Sequence, residues 1–262
     1  MSIKDLNVVD NLVSIIMPLY NCQEFIVDSI QSVLSQTYQN WELIIVDDLS
    51  TDNSFSVTQK IIKSDSRIQL HQMKKNSGVA TVRNYAIDRA KGEYVAFLDC
   101  DDLWLPQKLE KQISFMRENS FLFSFTAFEP INESNTEKRG VNAVPAVLDY
   151  KGLLKETVIG CLTVMYNSKK IGKCHFDTTL GKHEDYQCWL EILKKIPHAG
   201  GLNESLAYYR VRGDSLSSNK FKAASYVWKI IYRYQKLPFL TSVYYFSNYA
   251  VKALVKHSKR KR

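Results

Sequence analysis

The chain has 262 residues, 45% hydrophobic and 24% charged, with only 10 Gly and 6 Pro. This is ordinary globular composition, enough for one large domain or a domain with a small appendage, and it argues against disorder and low-complexity architecture. The formal charge of +8 is uneven: the last twenty residues carry Lys252, Lys256, Lys259, Arg260, Lys261 and Arg262 and no acid, which suits an anionic membrane surface or a nucleic acid, or else a plain solvated tail.

In chain order, Val13–Leu19 is apolar and β-branched, as in a buried strand, and Gln23–Gln36 repeats Phe25, Ile26, Ile30, Val33 and Leu34 at helical spacing. Trp41–Val46 reads as a second buried strand ending in Asp47-Asp48. A turn-rich Ser50–Ser54 follows, with Asp52 or Asn53 as helix cap for Val57, Ile61 and Ile62. Arg67–His71 is a short strand, Ser77 is placed to cap a helix running to about Ala90, and Tyr94–Leu98 is a fourth strand followed by Asp99. Pro106 opens a helix through Met116. Strands alternating with helices predict right-handed crossovers and a mainly parallel sheet, with ligands at the carboxyl ends of the strands. The acidic clusters Asp47-Asp48 and Asp99–Asp102 fall at such ends.

The second half is less regular. Phe121–Phe128, Leu162–Asn167 and Leu206–Arg210 are strand-like, Ile131–Val144 reads as a mobile polar loop, and His183–Leu193 as a helix with Trp189, Leu190 and Leu193 on its apolar side. From about Asn219 two aromatic-rich helical stretches follow, divided by Pro238. Leu237–Val255 approaches the length of a membrane span but contains Asn248, Lys252, Thr241, Ser242 and Ser247. Tyr244, Tyr245, Tyr249 and the basic tail suit a helix lying in a membrane interface; packing on the domain's own core is the equal alternative. The five cysteines, Cys22, Cys100, Cys161, Cys174 and Cys188, are scattered without C-x-x-C spacing, which argues for a reducing compartment and against a disulfide framework or zinc site. The N-terminus shows no apolar signal-peptide core.

Asp99, Asp101 and Asp102 are the strongest chemical feature. Carboxylates this close are costly to bury unless a cation neutralises them, and their oxygens suit Mg²⁺ or Mn²⁺, which also bridge diphosphates. The bland reading is an acidic turn ahead of a helix. Asp47-Asp48 offers a second carboxylate site or an Asx-type turn. Arg83 is placed to balance these acids, or is a surface charge. Glu184-Asp185 opens a helix, where the dipole favours acids, and could supply a base.

Together these segments resemble the family 2 glycosyltransferases of GT-A fold. Pro18-Leu19-Tyr20-Asn21 matches P-x-Y-N; Val46 to Asp52 resembles V-D-D-G-S-T-D; Asn76-Ser77-Gly78 with Arg83-Asn84 resembles N-x-G-x-x-x-A-R-N; Leu98 to Glu110 matches L-D-x-D-D-x-W-x-P-x-K-L-E; and His183-Glu184-Asp185 with Trp189-Leu190 resembles the later E-D motif. The likeness runs from about Val13 to Ser218, so the division implied is a GT-A domain over 1–218 and a basic helical extension over 219–262. Leu49 departs from the pattern where the family has glycine; because leucine resists positive φ, a differently shaped turn is expected there. Cys100 stands where Ser is common.

The resemblance implies inverting transfer from a nucleotide-diphosphate sugar, most often a UDP-sugar, with Mn²⁺ or Mg²⁺, to a glycan or polyprenyl-linked acceptor in bacterial surface polysaccharide assembly. The basic, aromatic C-terminus suits a cytoplasmic protein, peripheral at the inner membrane face, with no nucleic-acid partner expected. By motif position Asp48 contacts the base, with Pro18, Tyr20 and Glu24 in the same pocket and Asp47 supporting the turn. Arg83 lies near the pyrophosphate, and Asp99, Cys100 and Asp101 contact the donor. Asp101 leads the metal ligands, with Asp99 and Asp102. Asp185 is the catalytic base, while Glu184, Trp104, Arg210 and Arg212 serve the acceptor or a closing loop together with Ser217. The rivals are a phosphatase using Asp99 as nucleophile, disfavoured because Asp99 follows three βα units, and a non-catalytic sugar-nucleotide-binding or membrane scaffold.

Overall fold

A computed structural model describes residues 8–212 and 220–260. Strands β1 (Val9–Leu19), β2 (Trp41–Asp47), β3 (Ile68–Gln72) and β4 (Gly92–Phe97) pair in parallel in the order β3-β2-β1-β4. Every residue of β2 is buried, and Ile15 and Met17 of β1 enter one core while Ile16 enters the other. Burial on both faces is why these strands read as unbroken apolar runs. Helices α1 (Ile26–Leu34), α2 (Ser54–Ile61) and α3 (Val79–Arg89) make the crossovers.

Beyond β4 the sheet becomes mixed. β5 (Leu103–Trp104), helix α4 (Lys108–Glu118), β6 (Phe123–Ile131), β7 (Val147–Leu148), helix α5 (Tyr150–Leu154), β8 (Met165–Asn167), helix α6 (Ser168–Ile171), helix α7 (Glu184–Lys195) and β9 (Ala199–Arg210) follow in chain order. β8 is antiparallel to β4 and β6, β6 runs parallel to β9, and β5 and β7 are antiparallel to β9, completing a nine-stranded sheet. The strand order reverses between β1 and β4, and the crevice at their carboxyl ends is the switch point where α/β sheets place ligands.

Several local expectations change. Ser77 does not cap α3: the N-cap is Gly78 at φ 83°, without a side-chain bond. The Asp48 carboxylate instead accepts the amides of Ser77 (2.7 Å) and Gly78 (2.8 Å). Asn53 occupies the N-cap of α2 without bonding it, while Asp52 accepts the Ser54 amide at 2.9 Å. Helix α4 begins at Lys108, two residues after Pro106. The 131–144 segment is pinned by bridges Phe128–Asn142 and Ile131–Lys138 and by Asn132 Oδ1, which accepts the amides of Thr136 and Glu137. Leu49 takes a left-handed φ of 60° after all, in a turn closed by the Ser50 amide's bond to Asp47 and followed by the Thr51 amide's bond to Asn21.

The C-terminal helices are α8 (Lys220–Lys229), continued by a π-helical turn Ile230–Tyr234, and α9 (Phe239–Arg260). Val227, Ile230 and Ile231 are fully buried in the core that holds Trp189, and Gln235 donates to Gln187 (2.8 Å) and Glu191 (2.9 Å) of α7. α9 packs one face on the body and leaves the other open. Ser242, Tyr245, Phe246 and Tyr249 face the body, whereas Leu240, Val243, Tyr244, Val251, Leu254 and Val255 recur at helical spacing and are exposed, Leu240 at 80%. Among the described residues no helix is long and apolar enough to cross a membrane.

Candidate active site

Three strand ends carry the residues that the sequence assigns to the donor. After β1, Pro18 is half-buried and Tyr20 and Glu24 are exposed. Asn21, at φ 46°, accepts the Thr51 amide (2.8 Å), and its own amide donates to Ser50 Oγ (3.0 Å), joining the ends of β1 and β2. Asp47 is fully buried and accepts Ser50 N and Gln72 Nε2, both at 3.0 Å. Asp48 is buried against the α3 N-terminus.

After β4 the acidic loop is locked from both sides. Ser29 of α1 donates to the carbonyls of Cys100 and Asp102, each at 2.8 Å, and Cys22 Sγ donates to the Cys100 carbonyl at 3.1 Å. From β9, the Arg210 amide donates to Asp102 Oδ1 (2.8 Å) and its Nε to the Asp101 carbonyl (2.7 Å). Arg210 is buried and also reaches Glu133 and Asn135. Arg212 approaches Asp101 at 3.6 Å, while Ser217 lies outside the described residues. Trp104 is buried, donating its indole N–H to the Leu162 carbonyl at 2.8 Å.

Arg83 joins the two acidic motifs. Only 5% exposed, it donates to Asp99 (2.7 Å) and Glu184 (2.8 Å). Burial pulls its guanidinium down, but the negative partners, Asp99 foremost, lift it well above its ordinary value. Asp185 makes no ion pair among the described residues; burial and then repulsion from Glu184 push its carboxyl up to about 7, against the pull of Arg83. His183, just ahead of this pair, sits in a left-handed conformation at φ 61°, the kind of strain held at functional turns.

A divalent cation fits the donor chemistry of the acidic loop. Burial and mutual repulsion raise the carboxyls of Asp101 and Asp102, and Asp102 Oδ2 is buried without a hydrogen bond. Among the described residues no group of three His, Cys, Asp or Glu could hold a metal ion; Arg83 engages Asp99 and the Arg210 amide engages Asp102. One or two carboxylates completed by phosphate oxygens is the usual arrangement for Mg²⁺.

Sequence reasoning did not find Cys161, buried among Arg83, Asp99, Glu184 and Asp185, with its thiol pushed up by burial despite Arg83. Nor did it find the Asn84 clamp, whose amide group exchanges bonds with the Phe176 backbone at 2.7 and 2.8 Å. The A-R-N spacing was the available signal for Asn84, and Cys161 had none.

The sequence matches the family model "Glycosyl transferase family 2" over residues 14–176. TuaG of Bacillus subtilis (strain 168), named for teichuronic acid biosynthesis, is 43% identical over 245 residues, 94% of this chain and 97% of its own. WfgD of Escherichia coli, named as a UDP-Glc:alpha-D-GlcNAc-diphosphoundecaprenol beta-1,3-glucosyltransferase, is 41% identical over 252 residues, 95% of this chain and 96% of its own. S. aureus TarS residues 1–349 in complex with UDP-GlcNAc superposes with a TM-score of 0.67 at 20% identity, covering 84% of this chain and 66% of that one, a likeness of fold. The chain belongs to glycosyl transferase family 2.

Proposed function

We propose that the protein transfers a sugar, with inversion, from a nucleotide-diphosphate sugar to a hydroxyl of a lipid-linked glycan acceptor in cell-surface polysaccharide synthesis. The observation that carries this is the unequal treatment of Glu184 and Asp185. Arg83 neutralises Glu184, while Asp185 has no ion pair among the described residues and its carboxyl is raised to about 7, where a general base works best at neutral pH. Asp185 receives the acceptor's hydroxyl proton at its carboxylate. Glu184, anchored by Arg83, fixes the start of α7 and so the direction of its neighbour.

Asp48, Tyr20, Pro18 and Glu24 take the nucleotide, a UDP group by the likeness to WfgD. Asp101, with Asp99 and Asp102 beside it, would hold Mn²⁺ or Mg²⁺. When bound, such a cation stabilises charge on the leaving group. Trp104, Arg210 and Arg212 support the loop over it. The exposed apolar stripe of α9 and the basic residues near its end support peripheral attachment to an anionic membrane at the cytoplasmic face.

A panel of UDP-, GDP- and dTDP-sugars with Mn²⁺, read by nucleotide release on adding a lipid-linked acceptor, tests the reading. Asp185→Asn should bind donor normally and lose transfer. Transfer by Asp185→Asn at the parent rate would sink the assignment.

A further inference from the structure

A row of hydrogen bonds runs from one face of α1, and from the turn after it, to the segment that carries the acids. Ser29 is fully buried, with its hydroxyl 2.8 Å from the carbonyls of both Cys100 and Asp102. Farther along, Ser32 Oγ accepts the Trp104 amide of β5 at 3.2 Å. Gln36 then donates to the Leu105 carbonyl (2.9 Å) and accepts the Leu109 amide (3.1 Å), a donor in the first turn of α4 that the helix itself cannot pair. Ser29, Ser32 and Gln36 recur at helical spacing. Polar side chains facing a packed interior need partners, and the backbone of the acidic loop and its continuation supplies them.

Within this row Ser29 is the member that reaches the acids. Asp99 to Asp102 form a tight turn, closed by the Asp102 amide on the Asp99 carbonyl at 3.1 Å, with Cys100 and Asp101 at its corner. The Ser29 hydroxyl has one proton and shares it between the carbonyls on either side of Asp101. Arg210 Nε holds the carbonyl of Asp101 itself at 2.7 Å. Between these fixed points the Asp101 side chain stays 25% exposed, while Asp102 is buried. The main chain of the turn is therefore anchored from α1 on one side and β9 on the other, and the Asp101 carboxylate is left open to a ligand. Groups that hold a metal ligand from behind typically govern about 10–100-fold of metal affinity or activity.

We infer that Ser29 is a positioning residue for the transfer: from the buried face of α1 it fixes the backbone on both sides of Asp101 and so aims that carboxylate at the divalent cation. This rests on the metal role proposed for Asp101. Ser32 and Gln36 fix β5 and the start of α4 instead.

The test is calorimetric titration of the full chain with UDP, without metal and across a series of Mn²⁺ concentrations, for the parent, Ser29→Ala, Ser29→Cys and Ser32→Ala. Ser29→Ala should raise the Mn²⁺ concentration for half-maximal UDP binding about tenfold. Its UDP affinity without metal should equal the parent's, because Asp48, assigned to the nucleobase, is held separately by Ser77 and Gly78. Ser29→Cys keeps a weaker donor and should raise the Mn²⁺ midpoint less. Ser32→Ala also removes a bond to the loop's continuation, so it reports general loosening: its Tm should fall while its Mn²⁺ midpoint stays at the parent value. An unshifted midpoint in Ser29→Ala, or an equal shift in Ser32→Ala, would overturn the inference. Should Ser29→Ala not fold, an unshifted midpoint in Ser29→Cys overturns it equally. If UDP binding by the parent is indifferent to Mn²⁺, the metal role of Asp101 fails and this inference with it. A Mn²⁺-dependent parent with unshifted Ser29 variants sinks this inference alone.

Discussion

Leu49 offers a clean measurement of how firmly the turn after β2 is built. Its φ of 60° lies in the left-handed region that glycine enters without steric cost. An L-residue there costs about 1–2 kcal/mol. Glycine escapes that cost but loses about 0.5–1 kcal/mol through its freer unfolded chain. Comparing Leu49→Gly with Leu49→Ala removes the half-exposed side chain from both and leaves only the backbone difference. Glycine should therefore be the more stable by about 0.5–1 kcal/mol, the reverse of the order at an ordinary position. For a chain this long the gap is roughly 1–4 °C in Tm, readable by thermal and urea unfolding on matched samples. UDP affinity should be equal in the two, because the Asp48 carboxylate is held by Ser77 and Gly78 rather than by residue 49. An alanine variant as stable as the glycine variant would refute the argument that this turn stores backbone strain.

Four further outcomes follow from the site. Asp185 must be ionised to accept a proton, so kcat/KM for transfer should climb with pH through a midpoint near about 7, and Glu184→Gln, by removing repulsion, should move that midpoint down. Because the folded state raises this carboxyl from 3.8, the stability it favours is present at low pH and lost as pH rises from 3.8 to about 7; Asp185→Asn should lose less stability across that window in chemical unfolding. Arg83→Ala strands two carboxylates and should destabilise by about 3 kcal/mol, the low end for a broken buried pair because the Asp99 side chain is 30% exposed; adding Asp99→Asn and Glu184→Gln should recover most of the loss in Tm. Asp101→Ala should abolish the Mn²⁺-dependent part of UDP affinity measured by titration, and equal affinity with and without Mn²⁺ in the parent would count against the metal assignment. Removing residues after Lys236 should release the protein from anionic vesicles in flotation, whereas retained flotation would refute a membrane role for α9.

How much of this was legible depended on the range of the interactions involved. β1, β2 and β4 were readable because both faces are buried and each strand is an apolar run; α1 was readable from its spacing. β8, expected over Leu162–Asn167, is only Met165–Asn167, because Cys161–Thr163 winds into a 3-10 turn ahead of it. The acidic residues were visible, but their partners were not. Ser29 locks the acidic loop from 71 residues away and the Arg210 amide holds Asp102 from 108.

The division of labour between Glu184 and Asp185 shows why this matters for function. On the chain they are adjacent acids in a first helical turn, with nothing local to tell them apart. Arg83, 101 residues before Glu184, reaches one and not the other. The neutralised acid then becomes an anchor, and its remaining negative field, with burial, raises the other. Arg83 also holds Asp99, so the loop assigned to the donor and the helix bearing the base share one rigid cation. An aligned donor and base require such a shared reference, since a small misplacement of either is costly to rate. The motifs supply the chemical groups, and a buried arginine between them leaves Asp185, not Glu184, as the proposed base.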